Sequence, residues 1–340
     1  MMIFGVMLIG PFDGEIEPQE IYRHSLSQAK VAVENNFDAL FTAQHYVSGP
    51  AAAMMQPLVL LSNLAALSVG LYTGSAVFLL PLHHPLAIAE QTATLDIVAG
   101  GKFLFGVGQG YRDLEFESFG IRKKDRSRRM IEGVELIRKL WTEDDVEFQG
   151  DFFSIKAATI APKPIRIGGP PILAGADILK TVERVPSFAD HWIASRRHTK
   201  PFLRQALPVY QEALKQQRKD YKGLFLFRDL CVADNSVEAE RRIKDAYERM
   251  YQVYDRWGQP GERYDLGFEQ LKKDRLIVGN PEEVAEQVIG YHREFDVGAM
   301  NFCVHWPGMD PQYTLETIRL FGEKVIPEIR RIVGEDDMFA

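Results

Sequence analysis

The chain has 340 residues, 46% of them hydrophobic, and a formal net charge of −7. That length suits one α/β barrel as well as two or three smaller domains, with apolar content for a large core. The negative balance excludes the basic footprint of a nucleic-acid-binding or anionic-membrane-binding protein, and no apolar run approaches the roughly 20 residues of a membrane span. Cys231 and Cys303 lie far apart in apolar, strand-like runs. They give neither a zinc spacing nor a disulfide framework, which points to a reducing cytoplasm. The apolar start, Met1 to Gly10, has no basic residue before it and reads as a first core strand, not a signal peptide.

Strand signals alternate with helical ones along the chain. Ile3 to Ile9 is the first strand. Pro18 to Asn36 is a helix with apolar positions Ile21, Leu26, Ala29, Val31 and Val33. Phe37 to Thr42 is the second strand and runs into Gln44, His45 and Tyr46. A Gly/Pro/Ala loop over 48–57 leads to a helix at about 58–68. The third strand, Ser75 to Leu80, ends in a corner of Pro81, His83, His84 and Pro85. The helix after it stops at Gly100-Gly101, and Phe103 to Val107 is the fourth strand.

The basic run Arg122 to Arg129 opens a helix with Met130, Val134, Ile137 and Leu140 on one face. Val146 to Ile155 predicts a hairpin turning at Gly150-Asp151, the core of an excursion near 146–160. Ile172 to Ala174 is strand five, His191 to Ala194 strand six and Leu224 to Val232 strand seven. Asp234 to Asp255 is an amphipathic helix, and an insertion near 256–275 follows it. Asn280-Pro281-Glu282-Glu283 is a capping box that starts a helix to about Phe295. Ala299 to Val304 is the last barrel strand and Pro311 to Val333 a closing helix. Eight strands with helices between them and no break in composition predict one domain over 1–340, a (β/α)8 TIM barrel with insertions. The alternative, an open doubly wound sheet, lacks its N-terminal G-x-G-x-x-G.

In a barrel the strand C-terminal ends meet at one mouth. The polar residues there are Gln44 and His45; His83 and His84; Gln109, Tyr111 and Arg112; Asp177; Ser195, Arg196, Arg197 and His198; and His305. No metal is expected, because no strand-end histidine stands at ligand spacing from a carboxylate. Arg128, near a helix N-terminus, is the candidate anion site. Gly106, Gly108 and Gly110 allow close approach of a ligand. Phe4, Phe41, Tyr46, Tyr111, Trp192 and Trp306 suit a flat cofactor, or ordinary core packing.

The run SAVFLLPLHHPLAIAEQTATLDIVAGGKFLFGVGQGY from Ser75 to Tyr111 resembles the bacterial luciferase-like flavin monooxygenases. EFESFG at 115–120, Arg128 with Glu132, FTAQHY at 41–46 and GNPEEVAEQV at 279–288 extend the resemblance over nearly the whole chain. The resemblance implies a TIM barrel in a homodimer or heterodimer, with reduced FMN delivered by a separate flavin reductase. It implies a C4a-(hydro)peroxyflavin formed with O2 that oxygenates a small or lipophilic organic substrate. The alternatives are an F420-dependent hydride-transfer oxidoreductase and a non-catalytic flavin-binding partner subunit.

Carried over by residue, His45 is the catalytic histidine, and Gln44 stands beside it where the family often has Glu. Ala76 and Val77 match a non-proline cis peptide under the flavin ring. Gly108, Gln109, Gly110 and Tyr111 match the loop under the ribityl-phosphate, with Gln109 where the family usually has arginine. Arg128 matches a phosphate-binding arginine. Gly175, Ala176 and Asp177 match a second phosphate loop, and Trp192 to Ser195 match strand-six flavin contacts.

Overall fold

The computed structural model describes residues 2–8, 16–49, 52–259, 265–333 and 337–339. Ile9 of the expected first strand, Pro50 and Ala51 of the following loop, and residues 260–264 of the expected insertion lie outside the described residues.

In chain order the strands are β1 (Ile3–Met7), β2 (Ala39–Thr42), β3 (Tyr72–Phe78), β4 (Phe103–Val107), β5 (Val146–Gln149), β6 (Ser154–Ala158), β7 (Ile172–Gly175), β8 (His191–Ala194), β9 (Leu224–Val232), β10 (Leu276–Gly279) and β11 (Val297–Cys303). The helices used below are α1 (Pro18–Glu34), α2 (Pro57–Leu67), α3 (Pro85–Val98), α4 (Asp113–Ser118), α5 (Arg126–Thr142), α6 (Leu179–Arg184), α7 (Lys200–Gln216), α8 (Ser236–Arg256), α9 (Phe268–Leu271) and α10 (Pro281–Phe295). Parallel pairing runs β1-β2-β3-β4-β7-β8-β9-β11 and returns to β1, a closed eight-stranded ring. Helices between consecutive strands cover it, which is the (β/α)8 barrel that the alternation predicts.

Side chains alternate in and out along each strand, as the pleat requires. Phe41, Phe225 and Phe227 meet inside the ring, with centroids 5.1 to 6.2 Å apart. Gly5 and Gly74 make room for them: a Cβ on either would come within 3.0 Å of the Phe41 ring. At the strand N-terminal end Phe339 packs on Tyr72, His191 and Phe225, and the Tyr72 hydroxyl donates to Asp337 at 2.9 Å. The floor is therefore stoppered, and the C-terminal mouth is where a cavity forms.

Three local features set the mouth. The Asn280 side chain accepts from the Glu283 amide and the Glu283 carboxylate accepts from the Asn280 amide, so the capping box starts α10 as expected. Glu132 on α5 accepts from the amides of Asp151, Phe152 and Phe153 at 3.1, 2.9 and 2.8 Å, pinning the β5–β6 hairpin turn. A ninth parallel strand, β10, was not expected. The nine-residue β9 pairs through its first half with β8 and β11 and through Asp229–Val232 with β10. Four residues before a capping box carry too little pattern to declare a strand.

Burial depresses three histidines, His83, His191 and His305, to about 4 each. Each protonates more readily unfolded than folded, so its contribution is complete above about pH 6.5 and is lost as pH falls toward 4. Asp38 and Asp96, raised by burial, oppose this at the acid end. Urea midpoints are therefore expected to fall as pH is lowered from 7 to 4.5, by about 2–3 kcal/mol per histidine at most. A flat profile over that range would refute the assignment.

Candidate active site

The cavity at the mouth has a volume of about 300 Å³ and is lined from the ends of all eight barrel strands or the loops after them. Its bed is Ala76–Val77, whose peptide bond is cis, as the resemblance implies. Gln44 braces this bed. Its backbone amide donates to Val77 O at 3.2 Å and its side-chain oxygen accepts from the Leu79 amide at 2.8 Å. Its side-chain nitrogen donates to Gln56 and Tyr46. Gly108 lies against the bed from β4, where a Cβ would stand 2.3 Å from Val77 Cγ2. Gly108 therefore serves strand packing as well as ligand approach. Gly110, at φ +73°, turns the chain so that Gln109 and Tyr111 line the cavity.

On another wall His45 Nδ1 meets Glu115 Oε1 at 2.9 Å. Glu115 is completely buried on α4 and also accepts from the Tyr46 amide at 3.0 Å, with Arg112 3.5 Å away. A carboxylate on Nδ1 keeps the proton of the neutral ring there, so Nε2 is the nitrogen left for a ligand. Trp257, after α8, packs edge-on to His45 at 5.2 Å while the Arg112 guanidinium lies 4.2 Å from its ring centroid. Tyr111 packs on the other side of His45 at 5.7 Å. Burial pushes the Tyr111 hydroxyl far above the ordinary phenol range, so it remains a donor, and it has no partner among the described residues.

Arg196 and Arg197 follow β8. Arg196 pairs with the fully buried Asp229 at 2.6 Å and donates to Tyr254 Oη. Arg197 pairs with Asp177 at 3.1 Å and donates to Ser195 Oγ at 3.0 Å. Burial alone would raise Asp177, but Arg197 and His198 outweigh it and hold the carboxyl well below the carboxylate range.

Gly175, Ala176 and Thr181, from β7 and the start of α6, line the same cavity as Arg126, the first residue of α5. A narrow cleft continues from there past Gln109, Ser127 and Arg184. Neither Arg126 nor Arg184 pairs with a carboxylate among the described residues. Arg126 donates to Lys123 O at 3.0 Å and Arg184 to Ser127 Oγ at 3.3 Å. Two uncompensated guanidiniums beside hydroxyls and a glycine turn fit a phosphate.

Two expected positions move. Arg128 is exposed and away from the cavity, held by Asp125 and Asp151 at 3.0 Å each. Arg126 lines the cavity instead: it lies four residues before Met130, on the inward stripe of α5, whereas Arg128 is two residues out of phase. Trp192 also lies off the cavity. It faces the helices from β8 and donates from Nε1 to Ala176 O at 3.0 Å, supporting that loop from behind. The next strand positions, Ile193 and Ser195, line the cavity.

The corner histidines are structural. His83 stacks on Phe78 at 4.5 Å, and His84 Nδ1 caps α3 by accepting from the Leu86 amide. His305 is buried against Thr314. Among the described residues no group of three or more metal-ligating side chains is assembled. Of the six aromatics singled out, Tyr111 lines the cavity; Tyr254 and Trp257, which were not, also line it.

The site is thus a cavity at the C-terminal mouth of a stoppered α/β barrel, with the His45–Glu115 pair on one wall and Arg126 on another. The chain belongs to the luciferase-like monooxygenase family, whose profile matches residues 2–296. It is 26% identical over 326 residues to the F420-dependent glucose-6-phosphate dehydrogenase of Nakamurella multipartita, covering 90% of this chain and 92% of that protein. Monooxygenase RslO1 of Streptomyces bottropensis superposes with a TM-score of 0.87 at 23% identity, over 96% of this chain and 99% of that one. The oxygenating constituent of 3,6-diketocamphane monooxygenase of Pseudomonas putida, solved with FMN, superposes at 0.84 with 18% identity over the same shares.

Proposed function

We propose that this chain is a flavin-dependent monooxygenase that takes reduced FMN from a separate reductase and uses O2 to oxygenate a small organic substrate. The observation that carries the reading is one cavity lined by both Arg126 and His45, with His45 backed by Glu115 and a cleft leading on from the same loop to Arg184. Reduced flavin bound there would supply the electrons and the reaction with O2. The protein's own part is to bind, orient and manage protons. Arg126, Ser127, Thr181 and Arg184 would hold the phosphate. Gln109 and Gly110 would line the path of the tail, and Ala76, Val77 and Gly108 would support the ring. His45, with Nδ1 on Glu115, would give or take a proton at Nε2. Trp257 would roof the site against water.

Hydride transfer with F420 is the second reading, and the F420-dependent relative favours it. Equilibrium titration of FMN against F420, with O2 uptake by the reduced complex, separates the two. Tighter F420 binding without O2 consumption would overturn the monooxygenase reading. Arg126→Ala is expected to weaken FMN binding about 10- to 100-fold, through the loss of a charge-assisted phosphate contact. Arg128→Ala is expected to change it less than about twofold, because that side chain only ties α5 to the hairpin. Equal effects in a fluorescence titration would refute the phosphate assignment.

As a further part of the proposal, the chain acts in the reducing cytoplasm, in keeping with two buried free thiols. Among the described residues no helix is long and apolar enough to cross a membrane. It pairs with a second copy through the α2 side, where Val59, Leu67 and Val69 are exposed. Light scattering showing a monomer at working concentration would exclude the pairing.

A further inference from the structure

Phe227 lines the cavity and Asp229 reaches Arg196 there, so Arg228 between them on β9 points out toward the helices. It is fully buried, with its guanidinium 4.6 Å from the centroid of the Tyr291 ring on α10. Its Nη1 donates to Phe227 O at 2.7 Å and to Ser195 O at 3.4 Å. Nε and Nη2 have no partner, and the group pairs with no carboxylate among the described residues. Lys200, 4.7 Å from the same ring, has Glu294 at 3.7 Å. Ser195 lines the cavity, so the Arg228 charge stands one layer of backbone behind its surface. On the cavity side of that layer the cations are matched: Arg196 pairs with Asp229 and Arg197 with Asp177. Arg126, the cavity cation without a carboxylate, lies on the side given above to the phosphate.

We propose that Arg228 is an electrostatic positioning residue, whose unpaired charge acts through the Ser195 turn to stabilise negative charge on a ring bound in the cavity. The proposal rests on the reading that the cavity takes a flavin. Two electrons and one proton convert the neutral oxidised ring into the anionic reduced ring. A fixed cation in a weakly screened interior therefore favours the reduced form and leaves the oxidised one nearly unaffected. A buried arginine kept for structure would spend its charge on a carboxylate. Nor does Ser195 O need this donor, because the His198 amide already reaches it at 3.0 Å. The charge is also felt across the turn. Burial lowers the proton affinity of the His198 ring, Asp177 opposes this, and Arg197 and Arg228 add to it.

Dissociation constants of oxidised and dithionite-reduced FMN are measured anaerobically on the full chain for wild type, Arg228→Met and Arg228→Lys. In Arg228→Met the ratio of reduced to oxidised affinity is expected to fall at least about tenfold, which lowers the midpoint potential of the bound flavin by about 30 mV. Weaker binding of the reduced form accounts for the change. Arg228→Lys keeps the charge and is expected to hold the ratio within about threefold of wild type. In the wild-type complex the reduced ring is expected to stay anionic to at least about one pH unit below the free flavin. In the flavin-free chain the His198 ring, followed by NMR, is expected to titrate at higher pH in Arg228→Met than in wild type.

An unchanged ratio in a folded Arg228→Met overturns the proposal. So does an equal fall in the Met and Lys variants, which marks a structural role for the side chain. If neither variant folds, the wild-type complex decides: a reduced ring that titrates like the free flavin overturns the proposal, and a depressed value supports it. FMN that binds in neither redox state overturns the flavin reading. The His198 titration then shows whether the Arg228 charge crosses the turn, and an unmoved His198 overturns that part on its own. The two failures are thus told apart.

Discussion

His45→Ala is expected to lower kcat about 10²- to 10³-fold while leaving the FMN dissociation constant within about threefold. The ring lines the cavity, yet the residues proposed for the phosphate, Arg126 and Arg184, are others. Its Nδ1 meets Glu115, which leaves Nε2 as the nitrogen that would exchange a proton with a ligand in the proposed reaction. Glu115→Gln keeps an acceptor for Nδ1 but removes a buried negative charge that also faces Arg112. Glu115 is a positioning residue, and its loss is expected to cost about tenfold in kcat, with little change in flavin affinity. Single-turnover kinetics separate these effects from binding. An unchanged kcat in His45→Ala would remove the histidine from the mechanism, and a Glu115→Gln loss confined to KM would remove the positioning role.

Gly106→Ala is expected to be the most damaging small substitution in the barrel, at about 3 kcal/mol or more, or failure to fold. The added Cβ would stand 1.9 Å from the Ser75 carbonyl oxygen and 3.2 Å from Ile193 Cδ1. Ser75 is itself tied to this strand, its hydroxyl donating to Gly106 O at 2.8 Å. Backbone on one side and a packed barrel side chain on the other leave little room to relax. Gly290 is the control. It lies within α10 with nothing within 4 Å of its would-be Cβ, so Gly290→Ala is expected to stabilise by about 0.5–1 kcal/mol. Urea unfolding of both variants checks the pair. A tolerated Gly106→Ala would mean that β3 and β4 part more easily than their register suggests.

The consequences reach the site. Gly106 and Gly108 first read as a ligand-binding loop, because three glycines near a strand end suggest close approach. Their surroundings show tight packing of β4 on β3, with Gly108 set directly against Val77 of the cis bed. The same residues thus fix the barrel wall and the surface on which the ligand would rest.

Much of the site was legible. His45, Gln44, Gln109 and Tyr111 lie where strand ends were expected to converge, and Ala76–Val77 lies beneath them. The misplacements were errors of phase. Arg128 was chosen for its place near a helix start and its match to the family's arginine, although the apolar stripe of α5 already marked Arg126 as the inward residue. Of the strand-six match over Trp192 to Ser195, alternation along β8 sends Ile193 and Ser195 to the cavity and Trp192 to the helices. Glu115 opens the EFESFG match, but the match gave it no role, and Asp113, Glu115 and Glu117 are equally acidic neighbours on one short helix. Tyr254 and Trp257 were hidden because the far end of an amphipathic helix does not say over which strand it will lie.

From the sequence alone came the order of the elements, the barrel, the caps and the roster of residues at the mouth. These depend on periods of 2 and 3.6 residues and on turn chemistry, all local properties of the chain. Tertiary structure decided which charges meet. His45 finds Glu115 70 residues later and Arg196 finds Asp229 33 residues later. It also decided which arginines have no carboxylate among the described residues. Ion pairing follows distance and burial in the folded barrel, and neither is carried by spacing along the chain. The Arg196–Asp229 pair and the His45–Glu115 contact are for that reason properties of the closed ring of strands.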